Sequence, residues 1–302
     1  MAETRARPAG DPAKLHHRAG ELASGPFALD LTAEAAGWTF ASLRVIELAP
    51  GRTVELRSEG EEWLVLPLAG GAEVACGTER VELKGRADVF SGPSDFCYVP
   101  PSSTVLLASS GGGRFAVAGA RAETGAPFAY RDGSSVPVEL RGAGACTRRV
   151  VNYAMTDTFP AERLLCCEVV TPAGNWSSYP PHKHDEERAD ETALEEIYYF
   201  EVAADPSGRR GVAYQRVYGT PERPIDVLAE VGHGDVVVIP HGYHGPSMAL
   251  PGYELYYLNV MAGPGERRWL ACDDPAFHWV RQSWQHQAID PRLVDGAGGG
   301  PP

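Results

Sequence analysis

Residues 195–200 read Glu-Glu-Ile-Tyr-Tyr-Phe, and residues 235–240 read Asp-Val-Val-Val-Ile-Pro. The first half of the chain has the same order of features, with Glu-Glu-Trp-Leu-Val-Leu at 61–66 and Asp-Phe-Cys-Tyr-Val-Pro at 95–100. Short apolar runs rich in β-branched and aromatic residues, bounded by turn residues, are typical of strands. We interpret the shared order as a duplicated β-barrel, with the two copies meeting near residues 119–148.

The composition supports an all-β chain. The 302 residues include 34 Gly and 25 Pro, which suit many short strands joined by tight turns, and 43% of the residues are hydrophobic. Helical periodicity is nearly absent. We predict a first barrel over residues 25–140 and a second over 141–286, with flexible segments at 1–24 and 287–302.

The net charge disfavours some classes of binding partner. A formal net charge of −13 argues against nucleic acid and anionic membrane surfaces, both of which need a basic face. The first thirty residues contain no apolar stretch of signal-peptide type, and no apolar run is long enough to span a membrane. The six cysteines form no C-x-x-C pair, so we predict reduced thiols in a cytoplasmic protein.

The second half carries a candidate metal site. On an extended strand, His182 and His184 project from one face and Lys183 from the other. Glu196 opens an apolar strand, and His244 follows a turn after another. Three imidazoles and one carboxylate on neighbouring strands bind a borderline divalent ion and leave positions open for water or substrate. We predict His182, His184, Glu196 and His244 as the ligands.

The first half cannot repeat this site, because seven of the nine histidines lie beyond residue 181 and the others are His16 and His17. In the alignment of the copies, Glu62 is the counterpart of Glu196 and Thr104 that of His244. The first barrel is therefore predicted to be scaffold. Rival ligands in the second half are His233, His241, Glu186, Glu187 and, if the strand register slips, Glu195.

These motifs resemble the two motifs of cupins, and the duplicated plan resembles a bicupin, which has two double-stranded β-helix (jelly-roll) barrels in one chain. Residues 148–285 are similar to the 5-deoxy-glucuronate isomerase family of myo-inositol catabolism. The matching stretches are NYAMTDT (152–158), GNWSSYPPHKHD (174–185), EIYYF (196–200), YQRVY (214–218), PHGYHGP (240–246) and YYLNVMAG (256–263). The acidic insert before Glu196 also resembles that family.

The resemblance implies an aldose–ketose isomerase that converts 5-deoxy-D-glucuronate to 5-dehydro-2-deoxy-D-gluconate by metal-assisted enediolate chemistry. A small anionic sugar acid is then the partner. Three alternatives stay open: the 4-deoxy-5-keto-uronate ketol-isomerase of pectin degradation, a cupin dioxygenase, and a sugar-binding bicupin without catalysis. The oligomeric state is open, as either a monomer or a homo-oligomer.

This chemistry needs a general base, a cationic partner for the carboxylate and a Lewis-acidic metal. Glu168 is the candidate base, although an outward-facing position on its strand is an equal alternative. Arg149, Arg163 and Arg216 are candidates for the substrate carboxylate, and Tyr199 for a hydrogen bond. Zinc is the preferred ion because the reaction is not redox, with manganese, iron or nickel as alternatives.

Overall fold

Strands form most of the regular structure in residues 15–294, the part of the chain that the computed structural model describes. In the first half they are β1 (His16–His17), β2 (Phe27–Leu31), β3 (Ala41–Leu48), β4 (Arg52–Arg57), β5 (Glu61–Cys76), β6 (Glu79–Arg86), β7 (Phe96–Val99), β8 (Thr104–Ser109), β9 (Gly113–Arg121) and β10 (Ala129–Arg131). In the second half they are β11 (Val138–Arg141), β12 (Arg148–Ala154), β13 (Leu165–Thr171), β14 (Trp176–Ser177), β15 (His182–Lys183), β16 (Glu195–Val202), β17 (Ala213–Tyr218), β18 (Asp226–Val231), β19 (Val236–Ile239), β20 (Tyr243–Ala249), β21 (Leu255–Ala262) and β22 (Cys272–Asp273).

Helices are few and short. The α-helices are α1 (Trp279–Ser283) and α2 (Pro291–Val294), and single 3-10 turns span Gly133–Ser135, Gly144–Cys146 and Trp284–His286. Within the described part of the chain, no helix is long and apolar enough to cross a membrane. The prediction of an all-β fold is confirmed.

Apart from β1, which joins a sheet of the second half, the strands of each half form their own sheets. A nine-stranded arrangement contains β2 to β10, in which the long strand β5 pairs with β7 and β9 along one part and with β6 and β8 along another. The second half has a seven-stranded sheet in the order β1-β19-β16-β21-β13-β12-β11 and a six-stranded sheet built around β17, β20 and β15. The change from first-half to second-half sheets falls between β10 and β11.

Two apolar clusters fill the interior. One lies within the first half and includes Ile46, Trp63, Val74 and Phe115. The other continues from the opposite face of the first-half sheet, through residues such as Leu64, into the second half. Since side chains alternate between the faces of a strand, β5 sends Trp63 to the first cluster and Leu64 to the second. The two halves therefore share one core rather than touching only at a polar boundary.

The strand register corrects the predicted alignment of the two copies. Trp63 pairs with Val99, just before Pro100, whereas in the second half Glu196 pairs with Ile239, just before Pro240. The counterpart of Glu196 is therefore Trp63, and Glu62 corresponds to Glu195. The prediction that Glu62 matches Glu196 was wrong by one residue, because each copy carries two adjacent glutamates and either alignment pairs glutamate with glutamate.

Two equivalent carboxylates join the halves reciprocally. Glu195 accepts hydrogen bonds from the backbone N–H groups of residues 39–41, at 2.7 to 2.9 Å. Glu62 accepts the same kind of bonds from residues 162–164, at 2.6 to 2.8 Å. Residues 39–41 lead into β3, and β9 lies between β3 and the strand β5 that carries Glu62. Residues 162–164 lead into β13, and β21 lies between β13 and the strand β16 that carries Glu195. The paired contacts are consistent with the corrected alignment.

Parts of the two end segments that we predicted to be flexible contact the rest of the chain. Of residues 1–24, the stretch from residue 15 is described: β1 pairs with β19, and His16 and Arg18 contact the carboxylate of Asp235 at 3.1 and 3.3 Å. Of residues 287–302, α2 is described, and Asp290 accepts a hydrogen bond from Asn175 at 2.9 Å. Residues 1–14 and 295–302 lie outside the described residues.

Candidate metal centre

Strand pairing brings the predicted metal ligands to one place. His182 on β15 lies directly opposite His244 on β20. His184 follows β15, and Glu196 is the second residue of β16 in the neighbouring sheet. All four side chains are buried, with exposed fractions from 1% for Glu196 and His244 to 8% for His182. The site therefore lies between the two sheets of the second half.

Three of these side chains converge on one point. One carboxylate oxygen of Glu196, Oε2, lies 3.0 Å from His244 Nε2 and 3.2 Å from His184 Nε2. The ligand atoms of His184, Glu196 and His244 all lie within 4.8 Å of one another. The ring of His182 borders the group, with its centroid 4.5 Å from that of His244 and 6.4 Å from that of His184.

The converging atoms fit a bound cation. His184 Nε2, His244 Nε2 and Glu196 Oε2 are buried, yet none has a hydrogen-bond partner among residues 15–294. Buried polar atoms normally have partners, and leaving one unpaired costs about 1–3 kcal/mol. Lone pairs that face one another at these distances need a positive charge between them. Nitrogen and carboxylate oxygen donors are suited to a divalent ion such as zinc, manganese or iron.

Backbone contacts orient the imidazoles. His182 Nδ1 lies 3.2 Å from the carbonyl oxygen of Pro180, and His244 Nδ1 lies 3.4 Å from that of Gly242. Because a carbonyl oxygen only accepts, Nδ1 carries the proton in both rings and Nε2 carries the lone pair. Burial lowers the pKa of both His182 and His244 to about 3. Both rings are therefore neutral at physiological pH, which is the form that binds metal.

The carboxylate is also held in place. Asn259 on β21 donates a hydrogen bond from Nδ2 to Glu196 Oε1 at 2.7 Å, which leaves Oε2 facing the histidines. Burial works against ionisation, but His244 and His184, together with the Asn259 bond, lower the pKa of Glu196 overall. Glu196 is therefore ionised as a ligand must be, and its orientation depends on Asn259.

A cavity of about 40 Å³ opens beside the site. Its lining is Arg141, Arg148, Val150, Asn152, Met155, Cys167, Val169, Ser178, His182, Glu196, Tyr198, Tyr257, Asn259, Met261 and Trp269. Tyr198 and Tyr257 stack with centroids 4.8 Å apart, and the Ser178 hydroxyl lies 3.0 and 3.1 Å from their hydroxyls. Burial raises the pKa of both tyrosines, so they remain hydrogen-bond donors at neutral pH.

Glu168, the predicted base, is buried but lies elsewhere. Its two oxygens accept hydrogen bonds from Arg86 at 2.9 and 2.8 Å, and Arg86 comes from the first half of the chain. Glu168 does not line the cavity beside Glu196. Of the two positions that the sequence left open for Glu168, the structure has the buried one. The buried carboxylate forms a salt bridge between the halves, which corrects the proposed catalytic role.

The other substrate candidates also lie outside the cavity lining. Arg163 donates to the carbonyl of Gly263 at 3.1 Å, and Arg216 pairs with Asp226. Tyr199 donates to Glu201 at 3.3 Å on the opposite face of β16 from Glu196 and Tyr198. Arg149 follows Arg148 on β12 and, by strand alternation, points to the other face. The structure therefore gives none of these four a position at the substrate cavity.

The rival ligands have other partners. Glu195 binds the backbone of residues 39–41, and His233 lies 2.8 Å from Arg210 Nη1. Glu186 and Glu187 lie near the basic side chains of Lys183 and Arg268 at 3.5 and 3.8 Å. His241 is buried on the turn before β20 and is not part of the converging group.

Sequence reasoning missed Arg148, Arg141 and Asn259. Arg148 and Arg149 are adjacent, and alternation places one of them inside, but the sequence does not say which. Arg141 lies opposite Arg148 only because β11 pairs with β12. Asn259 was quoted within a matching stretch, yet its task depends on the pairing of β21 with β16. These roles come from tertiary neighbours, for which a single sequence carries no signal.

The fold and the site define a nearly all-β, cupin-like protein whose second half contains a buried group of His and Glu side chains that could hold a metal ion. A model of the KduI/IolB family matches residues 15–280. The chain belongs to the KduI/IolB family, as the resemblance of its motifs predicts.

Curated relatives agree with this placement. A Geobacillus kaustophilus (strain HTA426) protein named 5-deoxy-glucuronate isomerase is 42% identical over 256 residues, which cover 84% of this chain and 90% of that protein. The Bacillus subtilis (strain 168) protein of the same name is 35% identical over 255 residues, covering 83% and 91% of the two chains.

Solved structures share the fold. An IolB-like protein from Salmonella typhimurium LT2 superposes with a TM-score of 0.81 at 31% identity, covering 88% of this chain and 98% of that one. A Bacillus subtilis oxalate decarboxylase gives a TM-score of 0.59 at 13% identity, covering 86% of this chain and 79% of that one. The second likeness is one of fold alone.

Proposed function

We propose that this chain is an aldose–ketose isomerase that converts 5-deoxy-D-glucuronate to 5-dehydro-2-deoxy-D-gluconate in myo-inositol catabolism. The observation that carries the proposal is the buried convergence of His184, Glu196 and His244. It occurs in a chain 42% identical to a Geobacillus protein named 5-deoxy-glucuronate isomerase. The substrate is accordingly a small anionic sugar acid.

The reaction moves a proton between two neighbouring carbons of the substrate. A bound divalent ion supplies a Lewis acid that stabilises the negative charge developing on the two oxygens of those carbons. We assign its ligands to His184, Glu196 and His244, with His182 as the fourth. Asn259 holds Glu196 in the orientation that binding requires.

The remaining cavity residues position the substrate and exclude water. Tyr198 and Tyr257 keep their protons because burial raises the pKa of both hydroxyls. They therefore offer O–H donors to substrate oxygens, with Ser178 fixing their directions. Val150, Met155, Val169 and Met261 supply an apolar wall, which strengthens each electrostatic contact in the cavity.

Arg141 and Trp269 form one part of the cavity wall. Arg141 lies over the ring of Trp269 at 5.3 Å, and both residues line the cavity. The side chain of Arg141 is 28% exposed, so this part of the cavity wall reaches the protein surface.

We assign zinc as the resident ion, with manganese, iron or nickel as alternatives, because an isomerisation without redox change needs no redox-active metal. We further place the enzyme in the cytoplasm. The six cysteines occur as free thiols, which suits a reducing compartment.

We also propose that the halves are two cupin barrels, approximately residues 25–140 and 141–286. Support comes from the separate sheets of each half and from the equivalent pairs Trp63–Val99 and Glu196–Ile239. The first barrel has an apolar interior in which Trp63 takes the place of the ligand Glu196. It therefore acts as scaffold.

The deciding experiment offers the metal-loaded enzyme two substrates under anaerobic conditions, 5-deoxy-D-glucuronate and a 4-deoxy-5-keto-uronate. We expect turnover of the first, with no need for oxygen, and far slower turnover of the second. His244→Ala should abolish both turnover and bound metal, whereas His233→Ala, which changes a histidine outside the site, should keep both. Preference for the keto-uronate, a requirement for oxygen, or binding without turnover would each point to a different function.

A further inference from the structure

Arg148 occupies a position that no charged partner explains. It is the first residue of β12, only 5% exposed, and it lines the same cavity as His182 and Glu196. Its one hydrogen bond within the described chain runs from Nη1 to the carbonyl oxygen of Cys146 at 3.1 Å. A guanidinium has five N–H donors, so most of its hydrogen-bonding capacity is unused.

The comparison with Arg86 shows how unusual this is. Arg86 is also buried, but both oxygens of Glu168 accept its hydrogen bonds. Among residues 15–294, no carboxylate lies within salt-bridge distance of Arg148, and its guanidinium lies 5.7 Å from the centre of the Trp284 ring. The pKa of Glu139 is lowered mainly by its hydrogen bonds from Arg141, and Arg148 contributes to that lowering. Burial lowers the pKa of Arg148 to about 10, so the side chain stays charged at physiological pH. A buried charge that has no carboxylate in direct contact is costly for the fold.

The second arginine of the cavity is already neutralised. Arg141 lies opposite Arg148 in the β11–β12 pairing and gives two hydrogen bonds to Glu139, at 3.0 and 2.8 Å. Within the described chain, Glu196 is the one acidic residue of the lining, and it faces the histidines. The cavity thus has the positive charge of Arg148 on its β12 wall and the candidate metal ligands His182 and Glu196 on another part of its wall.

We propose that Arg148 binds the carboxylate of the substrate, so that the sugar acid spans the cavity from the metal ligands to the β12 wall. This inference rests on the proposed function for the identity of the acid. A guanidinium and a carboxylate form two parallel charge-assisted hydrogen bonds, which fix orientation as well as adding affinity. Arg148 therefore determines the preference for uronic acids over neutral sugars.

The test compares two stable sugars that differ at a single carbon, D-glucuronate and D-glucose, by calorimetric binding to the metal-loaded enzyme. We expect the wild type to bind glucuronate about 10- to 100-fold more tightly, the range of a charge-assisted contact. Arg148→Gln should reduce this preference to near unity while glucose affinity and metal content stay unchanged. Arg149→Gln, which alters the adjacent arginine on the opposite face, should keep the wild-type preference.

Arg148→Lys is a second variant in case Arg148→Gln does not fold. It keeps the positive charge and most of the side-chain volume but cannot form the two parallel hydrogen bonds of a guanidinium. It should show an intermediate preference. An unchanged preference in Arg148→Gln or Arg148→Lys, or a wild type that does not distinguish the two sugars, would overturn the proposal. The preference for glucuronate should also persist after the metal is removed by a chelator. If the metal bound the carboxylate instead of Arg148, the chelated protein would no longer prefer glucuronate.

Turnover of 5-deoxy-D-glucuronate tests the proposed function separately. If the wild type does not turn it over, yet the preference for glucuronate depends on Arg148, the reaction assignment fails and the carboxylate site stands. If turnover is normal and Arg148→Gln retains the preference, the carboxylate assignment fails alone.

Discussion

Glu196 has two oxygens with different tasks. Oε1 accepts the hydrogen bond from Asn259, and Oε2 faces His184 and His244 without a hydrogen bond. If Oε1 lost its donor, the carboxylate could rotate or recruit a proton, and Oε2 would no longer be held toward the histidines. Asn259 is therefore a positioning residue for Glu196, the proposed metal ligand.

Asn259→Leu should weaken metal binding by about 10- to 100-fold, the usual effect of removing a partner of a metal ligand. Competition with a calibrated chelator measures this directly. Asn152→Leu is the matched control, because Asn152 lines the same cavity without bonding to Glu196. Equal metal affinity in Asn259→Leu and the wild type would show that Glu196 needs no such support.

At the scale of single residues, the sequence predicts some members of the candidate site and not others. Strand alternation predicts that His182 and His184 share one face. Glu196 was predicted from its place at the start of an apolar strand, and His244 from its place after the turn that follows another. Arg148 could not be chosen over Arg149, since alternation gives the face of each only relative to the other. For Glu168 the sequence left an inward and an outward position equally open, and its partner Arg86 is remote in sequence.

At the level of strands, reciprocal carboxylates connect the two halves. Glu195 at the start of β16 and Glu62 near the start of β5 each accept three consecutive backbone N–H groups from the other half. Buried N–H groups that lose such an acceptor are left unsatisfied. The order of strands was predictable from the repeated motifs, but their exact alignment was not, because two adjacent glutamates fit either register.

Glu195→Gln and Glu62→Gln should each lower the free energy of unfolding by about 1–3 kcal/mol, because the amide removes the charge and one acceptor oxygen. Urea denaturation followed by fluorescence measures the change. Glu47→Gln, an exposed glutamate on β3, should be neutral within error. If the Glu62 and Glu195 variants behaved like Glu47→Gln, these contacts would not be holding the halves together.

Across the whole molecule, the two halves also meet through Glu162, which accepts backbone N–H groups of residues 123–125 at 2.8 to 3.2 Å. The bond from Gly125 is the main cause of a pKa lowered to about 2. A carboxyl with a depressed pKa stabilises the fold fully above its unfolded value of about 4.3 and loses that contribution as pH falls toward about 2.

The difference in urea midpoint between the wild type and Glu162→Gln should therefore be larger at about pH 6 than at about pH 3. A difference independent of pH would mean that the ionised carboxylate contributes nothing to stability.

The overall β architecture could be predicted from the composition and the turn residues. The shared core of the halves could not, since faces such as that of Leu64 can be assigned only once the sheets are packed.

We propose that one divalent ion at His184, Glu196 and His244 makes this chain an isomerase. The most direct measurement follows turnover of 5-deoxy-D-glucuronate while the ion is removed by a chelator and then returned in steps, with metal content determined at each step. We predict that activity falls with metal content and returns in proportion, reaching its limit at one ion per chain. Full turnover by metal-free protein, or no turnover at full occupancy, would contradict the account.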